Sequence, residues 1–217
     1  MKTALVFGSS GLIGGHLLDQ LIKDTKYSKI KLFVRLVPEI SDPKVEIIKI
    51  DFNNLQNNKE DIIGDDCFFC IGTTKKNSPN KDEYRRVELD IPKEIAQISK
   101  SNLVNSFIFV STLYANPKNL GDYVKFKGLV EEELKRLNFP KLAVMRPSFL
   151  MGDRKEKRIG EKIGIFVFKL LSPMLLGPLK KMKPIHSKIV AKAMIVIAQR
   201  DTQQITFESK EISEIIS

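Results

Sequence analysis

The chain opens with a short apolar strand that runs directly into a glycine-spaced turn and then into a helix. Leu5–Phe7 is followed by Gly8, Gly11 and Gly14, and leucine and isoleucine then recur with helical spacing from Leu17. Glycine lets the backbone turn sharply and approach a pyrophosphate closely, while a helix N-terminus offers free N–H groups. A tight turn with a helix-packing glycine would use the same residues without any ligand. Because the turn follows the first strand of an alternating chain, we interpret it as a dinucleotide-binding turn.

Short apolar runs alternate with helical segments along the chain, and several runs are continuous, as expected for strands covered on both faces. Strands are predicted at Thr3–Phe7, Ile30–Val34, Val45–Ile50, Cys67–Ile71, Phe107–Val110 and Leu142–Met145. Helices are predicted at Gly11–Lys23, Glu83–Lys100, Asp122–Leu137, Ile159–Leu171 and Ser187–Arg200. This alternation predicts an α/β fold built on a Rossmann-type doubly wound parallel sheet. We expect a single domain over residues 1–217, with residues 147–217 as a small C-terminal substrate cover.

Two positions at later strand ends agree with a dinucleotide ligand. Arg35 follows the second predicted strand, where a protein that binds NAD usually carries an acid for the ribose hydroxyls. An arginine there can pair with a 2′-phosphate instead, so we expect NADP(H) to be preferred, with NAD(H) as the alternative. Asp51 and Phe52 end the third strand, where the acid could accept a hydrogen bond from the adenine amino group. A surface arginine and a turn-capping aspartate would explain the same positions without a ligand.

A tyrosine and a lysine four residues apart open the helix predicted at Asp122–Leu137. Tyr123 belongs to the apolar stripe of that helix and Lys127 lies at the edge of the stripe, whereas Lys125 lies on the opposite face with Glu132. A tyrosine can exchange a proton with an alcohol or a carbonyl only if its pKa falls from about 10 toward neutrality, and a nearby ammonium favours that change. The position of Lys127 beside the core stripe therefore favours a catalytic pair over a chance spacing.

Two hydroxyl side chains, Ser111 and Thr112, follow the fifth predicted strand. Ligands of open α/β sheets bind beyond the carboxyl ends of the strands, so these hydroxyls are placed to position a substrate carbonyl. One short loop separates them from Tyr123. The candidate catalytic residues are therefore Ser111, Thr112, Tyr123 and Lys127.

The charge balance is basic, with 36 lysines and arginines against 26 aspartates and glutamates and a formal net charge of +10. The densest clusters are Arg154–Arg158 and Lys180–Lys183, which contain no aromatic residue, and the sequence carries no recognisable nucleic-acid module. We therefore expect no nucleic-acid partner, and we interpret the charge as solvated surface with some attraction for phosphate. If the protein is a regulator, the two clusters could form a surface for a protein partner.

The cysteines and histidines do not predict a metal site. Cys67 and Cys70 lie three residues apart in a predicted strand and so point to opposite faces, which disfavours a disulfide. His16 and His186 have no neighbouring ligand residues in the sequence, and we expect them to be structural. Unpaired cysteines fit a reducing compartment, and the first strand begins too close to Met1 to leave room for a signal peptide. We therefore expect a cytoplasmic protein.

An apolar stretch, Ile163–Leu179, follows the last predicted strand. It is interrupted by Lys169, Pro173 and Pro178, so it does not predict a transmembrane segment. We expect it to line the substrate pocket or the core. Its basic flank also fits an interfacial segment on a membrane surface, which is an alternative.

These motifs, in this order, resemble the extended or atypical branch of the short-chain dehydrogenase/reductase superfamily. That branch is similar in the spacing of Gly8, Gly11 and Gly14, which departs from G-x-G-x-x-G, and in an acid–hydrophobic pair such as Asp51-Phe52. It also carries a Tyr-x-x-x-Lys motif and an Arg-Pro pair, matched here by Arg146-Pro147. The resemblance spans nearly the whole chain. Within the branch the chain looks closest to the Tat-interacting-protein type of oxidoreductase-like proteins, on the segments Cys70–Thr74, Tyr123–Gly128 and Met145–Pro147.

The resemblance implies a role for each matched residue. Lys127 would bond the nicotinamide ribose, and Tyr123 would donate or accept the proton. The catalytic serine of the family aligns with Thr112, and threonine keeps the hydroxyl but is stiffer at χ1. The implied cofactor-binding residues are Gly8, Ser9, Ser10, Gly11, Leu12, Ile13, Gly14, Arg35, Asp51, Phe52, Ile71, Gly72, Thr73, Lys127, Pro147, Ser148 and Phe149.

The resemblance implies an NADP(H)-dependent oxidoreductase that acts on a small or apolar carbonyl or alcohol. A nucleotide-sugar epimerase would need a larger cap than residues 147–217 provide. The alternative from another class is a non-enzymatic NADP(H)-binding regulator that reports the redox state to a protein partner. A regulator has no need of both Tyr123 and Lys127, so their presence favours the enzyme. Either function is compatible with a homodimer.

Overall fold

Parallel strands dominate the fold. The computed structural model describes residues 1–152 and 183–216. Within these residues the strands, in chain order, are β1 (Lys2–Phe7), β2 (Tyr27–Val34), β3 (Val45–Lys49), β4 (Asp66–Phe69), β5 (Ser106–Val110), β6 (Lys141–Arg146), β7 (Leu150–Met151), β8 (Ile185–His186) and β9 (Thr206–Glu208). Seven of them pair in parallel in the order β3-β2-β1-β4-β5-β6-β9, and β7 and β8 form a separate parallel ribbon.

Helices connect most of the successive strands. The described helices are α1 (Leu12–Lys23), α2 (Lys81–Arg85), α3 (Ile91–Ser101), α4 (Asp122–Leu137), α5 (Ser187–Gln199) and α6 (Ser209–Glu214). A 3-10 turn, Leu55–Asn58, precedes β4, and a π turn, Arg86–Asp90, joins α2 to α3. Local chemistry fixes several helix ends. The Asn80 side chain accepts hydrogen bonds from N–H groups at the start of α2, and Asn138 adopts a left-handed conformation (φ 49°) after α4.

The sheet is covered on both faces, which explains the continuous apolar sequences of its strands. Alternate residues of β1 belong to opposite cores. Ala4 and Val6 pack in the core that contains α1 and α5, whereas Leu5 and Phe7 pack in the core that contains α3 and α4. Two layers of helices therefore hold the strands, and the loops at the strand ends are the parts of the sheet left open.

The strand order reverses between β1 and β4. The chain first places β2 and β3 on one side of β1, and then returns to place β4, β5 and β6 on the other side. At the carboxyl ends of β1 and β4 the N–H of Cys70 donates to the carbonyl of Phe7 (2.8 Å). Ligands of open α/β sheets bind beyond the carboxyl ends of the strands at such a reversal.

The predicted α/β class and doubly wound parallel sheet are confirmed. The helix predicted at Asp122–Leu137 has those bounds, but Glu83–Lys100 is wrong as one continuous α-helix because the π turn at Arg86–Asp90 interrupts it. The strand β9 was not predictable from the sequence, since three residues carry too little periodicity. Cys67 and Cys70 pack against opposite cores and both thiols are free, as expected.

Several sequence features lie outside the described residues. They are the helix predicted at Ile159–Leu171, the apolar stretch Ile163–Leu179, the basic cluster Arg154–Arg158, and all of Lys180–Lys183 except its last lysine.

Candidate functional site

Six neighbouring parallel strands end at one edge of the sheet, which we call the carboxyl edge. Every loop that carries a predicted site residue follows one of these strands, although the loops are far apart in the sequence. Tyr123 and Lys127 come from the beginning of α4, the helix that follows β5. The residues that begin the six loops are Gly8, Arg35, Ile50, Cys70, Ser111 and Pro147.

The turn after β1 is fixed by its glycines. Gly8 has a φ of 89°, which favours glycine, and a Cβ there would lie 2.8 Å from backbone atoms of Cys70 and Ile71. A Cβ on Gly14 would lie 2.1 Å from the Gly8 carbonyl oxygen, whereas a Cβ on Gly11 would lie 3.2 Å from the same atom. Gly8 and Gly14 are therefore required by backbone packing alone, and this packing holds the start of α1 against the strand reversal.

The start of α1 carries hydrogen-bond donors that no side chain caps. Gly11 is the N-cap residue, and no acid occupies the first turn of the helix. Ser10 and Gly11 are exposed, Ser9 and Leu12 are half-buried, and Ile13 is buried. The first N–H groups of a helix have no partner within the helix and carry a partial positive charge, so this terminus attracts anions.

The residues that follow β2 and β3 differ in how far their polar groups are already engaged in hydrogen bonds. Arg35 directly follows β2 and is exposed, and its guanidinium has no hydrogen bond or ion pair within residues 1–152 and 183–216. The carboxylate of Asp51 accepts a hydrogen bond from the N–H of Asn53 (2.9 Å), which is a turn-capping contact. Phe52 is half-buried against the core, and its carbonyl accepts a hydrogen bond from Arg86 (2.5 Å). The guanidinium of Arg35 is therefore open to an anion, while one oxygen of Asp51 is engaged.

The buried carboxylate of Glu88, which is not among the predicted site residues, holds the loop after β4. The N–H of Thr73 donates to Oε1 of Glu88 (2.5 Å), and the hydroxyl of Thr73 lies 3.0 Å from that of Ser78. Glu88 belongs to the π turn between α2 and α3 and is fully buried. Ile71 packs against the core, and Gly72 between them is exposed. The loop is therefore held in place on both sides of Gly72, which is exposed.

Tyr123 and Lys127 lie on the same side of α4, with Nζ of Lys127 5.9 Å from the centroid of the Tyr123 ring. Tyr123 is 39% exposed, whereas Lys127 is only 2% exposed. The Lys127 ammonium lies 3.1 Å from Oε2 of Glu88 and 3.3 Å from the carbonyl oxygen of Val110, to which it donates. Lys125 is exposed, so the two lysines occupy the different faces that the helical wheel predicts.

Burial and ion pairing act on Lys127 in opposite directions. Desolvation by itself would lower the pKa of the Lys127 ammonium, but the negative charge of Glu88, with a smaller contribution from Tyr123, raises it. The net pKa lies above the ordinary value for lysine. The structure therefore keeps a charged ammonium buried next to a tyrosine that solvent can reach.

The two hydroxyls after β5 have different surroundings. Ser111 is buried, and its hydroxyl donates to Oε1 of Glu131 (2.5 Å), a carboxylate that also pairs with Arg146. Thr112 is half-buried, and its side chain makes no hydrogen bond within the described chain. The Thr112 hydroxyl is therefore available to a ligand, whereas Ser111 belongs to a buried network that joins β5, α4 and β6.

The segment after β6 is anchored at its first two residues. The carbonyl of Pro147 accepts a hydrogen bond from the N–H of Leu113 (3.1 Å), and the N–H of Ser148 donates to the hydroxyl of Ser209 (2.9 Å). The third residue, Phe149, is 52% exposed. The segment thus presents an apolar ring at the carboxyl edge from a fixed backbone.

Sequence reasoning missed two acids of this edge, Glu88 and Glu131. Glu88 lies four residues after Tyr84 and three before Ile91, both of which are buried, and Glu131 lies four residues after Lys127. Both acids are therefore on the buried faces of their helices. An unpaired buried charge costs much free energy, so an acid at such a position signals a buried partner. That signal was present in the sequence.

The groups along this edge fit the phosphates and ribose of a dinucleotide. The uncapped N–H groups of α1 and the unpaired guanidinium of Arg35 are donors suited to anionic oxygen. The hydroxyl of Thr112 and the ammonium of Lys127 add donors suited to ribose or carbonyl oxygen. Since no acid occupies the first turn of α1, nothing in that turn opposes a phosphate.

One histidine caps the start of α5, and the two histidine rings lie close to each other. Nδ1 of His186 accepts a hydrogen bond from the N–H of Lys188 (3.2 Å), and the rings of His16 and His186 lie 5.9 Å apart. In the part of the chain that the structure describes, no three His, Cys, Asp or Glu side chains are grouped so that they could hold a metal ion. Across the same residues, no helix combines the length and the apolar character needed to cross a membrane.

Sequence comparison finds relatives that match most of the chain. The chain is 28% identical over 225 residues to "Protein FMP52-1, mitochondrial" of Scheffersomyces stipitis, which covers 98% of each chain. It is 29% identical over 164 residues to "Protein HTATIP2" of Rattus norvegicus, which covers 74% of this chain and 67% of that one. These relatives support the atypical short-chain dehydrogenase/reductase resemblance.

The expectation of a cytoplasmic protein is contradicted by these relatives. FMP52 proteins from six organisms are named mitochondrial. The expectation failed because unpaired cysteines indicate only a reducing environment and do not distinguish one reducing compartment from another.

The fold and the family agree. The Bordetella bronchiseptica enzyme WbmH, solved in complex with NAD+, superimposes with a TM-score of 0.73 over 96% of this chain and 76% of that one, at 17% identity, which is a likeness of fold. A family model described as NAD(P)H-binding matches residues 8–163, from the first glycine of the turn to beyond β7. The chain therefore belongs to this NAD(P)H-binding family, as a nucleotide-binding, oxidoreductase-like member of the atypical short-chain dehydrogenase/reductase type.

Proposed function

We propose that the protein is an NADP(H)-dependent oxidoreductase that acts on a small or apolar carbonyl or alcohol. One observation carries the proposal: the buried, charged Lys127 lies beside the half-open Tyr123, at the same sheet edge as the glycine turn and Thr112. Proton transfer to a carbonyl oxygen needs a proton donor that the substrate can reach and a cation that favours its ionised form. Tyr123 and Lys127 meet both needs.

The proposed cofactor site runs along the carboxyl edge. The N–H groups of Gly8–Gly14 would hold the pyrophosphate, Arg35 the 2′-phosphate and Lys127 the nicotinamide ribose. Because Arg35 is exposed and unpaired in the described chain, we favour NADP(H) over NAD(H). When bound, the cofactor would supply the hydride-transfer chemistry. Three further segments would complete the site around the adenine, the ribose and the nicotinamide: Asp51-Phe52, Ile71–Thr73 and Pro147–Phe149.

Tyr123 would move the proton at the substrate oxygen. In reduction its hydroxyl donates to the carbonyl oxygen as that oxygen gains charge, and in oxidation its phenolate accepts the alcohol proton. The Thr112 hydroxyl, free of partners in the described chain, would hold the same oxygen. Ser111 would not contact the substrate and would only hold neighbouring residues in place, because its hydroxyl is buried and donates to Glu131.

The proposed substrate is small or apolar because Phe149, which follows β6 at the carboxyl edge, is 52% exposed and offers it an apolar ring. We propose one domain over residues 1–217, with the substrate on the side of residues 147–217. This arrangement would exclude water from the reacting atoms by apolar contact.

The test is NADPH consumption against a panel of aldehydes, ketones and quinones, with Tyr123→Phe as the variant and Tyr114→Phe as its matched control. Tyr114 is also an exposed tyrosine, at 55%, and has no part in the proposed site. We expect turnover by the wild type and by Tyr114→Phe, and a loss of at least about a hundredfold in Tyr123→Phe, which is the usual size of a general acid–base contribution.

NADPH affinity separates the outcomes. If Tyr123→Phe binds NADPH as the wild type does but does not turn over, the tyrosine has its proposed role. If the wild type binds NADPH tightly but reduces nothing in a broad panel, the enzyme proposal is overturned in favour of an NADP(H)-binding regulator that reports to a protein partner.

A further inference from the structure

Glu88 joins three elements at the proposed site. It comes from the π turn, its Oε2 lies 3.1 Å from Nζ of Lys127 on α4, and its Oε1 accepts the N–H of Thr73 from the loop after β4. Its side chain is fully buried. A Cβ on Gly72 would lie 3.4 Å from Oε1 of Glu88 and 4.0 Å from the ammonium, so the loop passes directly over the ion pair.

The π turn is what places this acid. A π turn widens the helix locally by bonding each N–H to the carbonyl five residues earlier, and it interrupts the run between α2 and α3 at Arg86–Asp90. Glu88 and Leu89 are the buried residues of that turn. Single π turns recur at functional sites, where they re-aim one side chain. Here the side chain is an acid that faces the one buried lysine of the described site.

The Lys127 ammonium can remain charged in this buried position only if an anion lies beside it. A buried ammonium without a counter-ion loses its proton or leaves for solvent, because its desolvation is not offset. The other titratable groups around the pair are Cys70 from the loop after β4, Tyr84 from α2 and Tyr123 from α4, and none of them acts on the Lys127 ammonium as strongly as Glu88 does. Glu88 is therefore the anion that offsets the charge of Lys127.

We propose that Glu88 is a positioning residue that holds the Lys127 ammonium, and through Thr73 the loop after β4, in the arrangement that receives the nicotinamide ribose. This inference rests on the proposed function, because it assigns Glu88 a role toward the same cofactor. Glu88 acts through Lys127 and does not touch the substrate. Its two oxygens divide the work: one holds the cation and the other holds the backbone that lines the same site.

The test compares Glu88→Gln with Asp66→Asn. Glutamine keeps the size and an acceptor for the Thr73 N–H but removes the negative charge. Asp66 is the matched control because it is also fully buried and paired with a lysine, Lys2, but lies at the opposite end of the strands. The first readout is the protonation of the lysine ammonium groups, followed by NMR of protein labelled in its lysine side chains, with Lys127→Arg to assign the signal.

We expect the Lys127 ammonium in Glu88→Gln to lose its proton at a pH lower than in the wild type by about one to three units, as for lysines buried without a partner. Asp66→Asn should leave that midpoint unchanged.

The second readout is the Kd for NADPH at pH 7 and pH 9.5. We expect the wild-type Kd to stay within a factor of about two, while the Glu88→Gln Kd rises about tenfold, which is the loss of one charged hydrogen bond. Glu88→Asp should restore part of the difference.

The outcomes are distinct. An unchanged Lys127 midpoint in Glu88→Gln overturns the inference whether or not the chain binds NADPH. A lowered midpoint with a Kd that follows pH as in the wild type also overturns it, because Glu88 then has only a structural role. Absence of NADPH binding by the wild type overturns the proposed function and the cofactor role of Glu88 together, and the Lys127 midpoint then still shows whether the ion pair exists.

If Glu88→Gln does not fold, the double variant Glu88→Gln/Lys127→Met removes both charges, and we expect it to bind NADPH weakly and equally at both pH values.

Discussion

Each end of the sheet holds a buried carboxylate paired with a lysine, and the two pairs differ in their neighbours. At the amino ends of the strands, Oδ2 of Asp66 lies 2.8 Å from Nζ of Lys2 and accepts a hydrogen bond from the Tyr27 hydroxyl (2.8 Å). These three residues belong to β1, β2 and β4, whose positions the sheet fixes. At the carboxyl edge, Glu88 and Lys127 come from a π turn and a helix.

We propose that the same chemistry serves stability at one end of the sheet and a binding site at the other. The Lys2 side chain is 34% exposed and can turn to water, while its acid is held by strand neighbours. The Lys127 side chain is 3% exposed and lies beside a loop with an open glycine and a half-exposed tyrosine. Burying a charge costs free energy, and a buried charge beside an opening in the protein surface is typical of a functional site. Four changes test this contrast.

The largest effect is expected at the amino ends. Asp66→Ala should lower the free energy of unfolding by about 3 kcal/mol, since it leaves the buried Tyr27 hydroxyl without its acceptor and Lys2 without its counter-ion. Urea unfolding measures the change, with Asp19→Ala, an exposed acid of α1, as the control. The NADPH affinity of folded Asp66→Ala should stay within a factor of about two of the wild type. A large loss of affinity would break the contrast between the two ends.

The second effect is expected in the turn after β1. In Gly14→Ala the new Cβ would lie 2.1 Å from the Gly8 carbonyl oxygen, so α1 must shift away from β1. Overpacking of this kind costs about 1–3 kcal/mol, and the shift would displace the N–H groups proposed for the pyrophosphate, so we expect NADPH affinity to fall about a hundredfold. Isothermal titration would measure it.

The neighbouring glycine provides a close control for that variant. A Cβ on Gly15 would lie 3.5 Å from the Ser9 carbonyl oxygen, an ordinary contact. Gly15→Ala should therefore stabilise the fold by about 0.5–1 kcal/mol through helix propensity and leave NADPH affinity unchanged. Equal losses of affinity in both alanine variants would remove the turn from the proposed site.

A third change sharpens the contrast between cofactors. Arg35→Ser should weaken NADPH binding about tenfold and leave NADH binding unchanged, because only NADPH carries the 2′-phosphate that the guanidinium would pair with. Arg200→Ser removes an exposed arginine beyond the far end of α5 and should affect neither nucleotide. Equal weakening of both nucleotides in Arg35→Ser would show that Arg35 does not select between them.

The smallest effect is expected in alkaline solution. Burial, and then the charge of Asp66, raise the pKa of the Tyr27 hydroxyl well above its ordinary value. A group whose pKa is raised by folding contributes stability that is complete below its unfolded pKa and is lost as pH rises above it. For this tyrosine the loss begins near pH 10 at about 1.4 kcal/mol per pH unit. Stability curves of Tyr27→Phe should be less steep above pH 10 by this amount, whereas those of Tyr114→Phe, which changes an exposed tyrosine, should match the wild type. An identical slope in Tyr27→Phe would assign the alkaline loss to other groups.

The sheet could be predicted from the sequence because its information is local. Continuous apolar runs predict buried strands, and the glycine spacing after β1 predicts the turn, since each property is carried by residues within a few positions of one another. Lys127 could be placed beside the core because its helix repeats over four turns. Such periodicity is absent from a three-residue strand such as β9 and from a single π turn.

The ion pairs could not be predicted in the same way. Glu88 and Lys127 are separated by the whole of α3 and β5, and no local pattern states which buried acid meets which lysine. Ser111 and Thr112 are adjacent and chemically alike, yet one hydroxyl is bound to Glu131 and the other is free within the described residues. Their difference depends on the pleat at the end of β5 and on Arg146, which arrives from another strand.

The ribbon of β7 and β8 couples two parts of the chain that are distant in the sequence. Leu150 pairs with Ile185 and Met151 with His186, so the segment that follows β6 lies directly beside the residue that caps α5. A substitution that shifts this ribbon by one residue would therefore move the start of α5 and the exposed ring of Phe149 together.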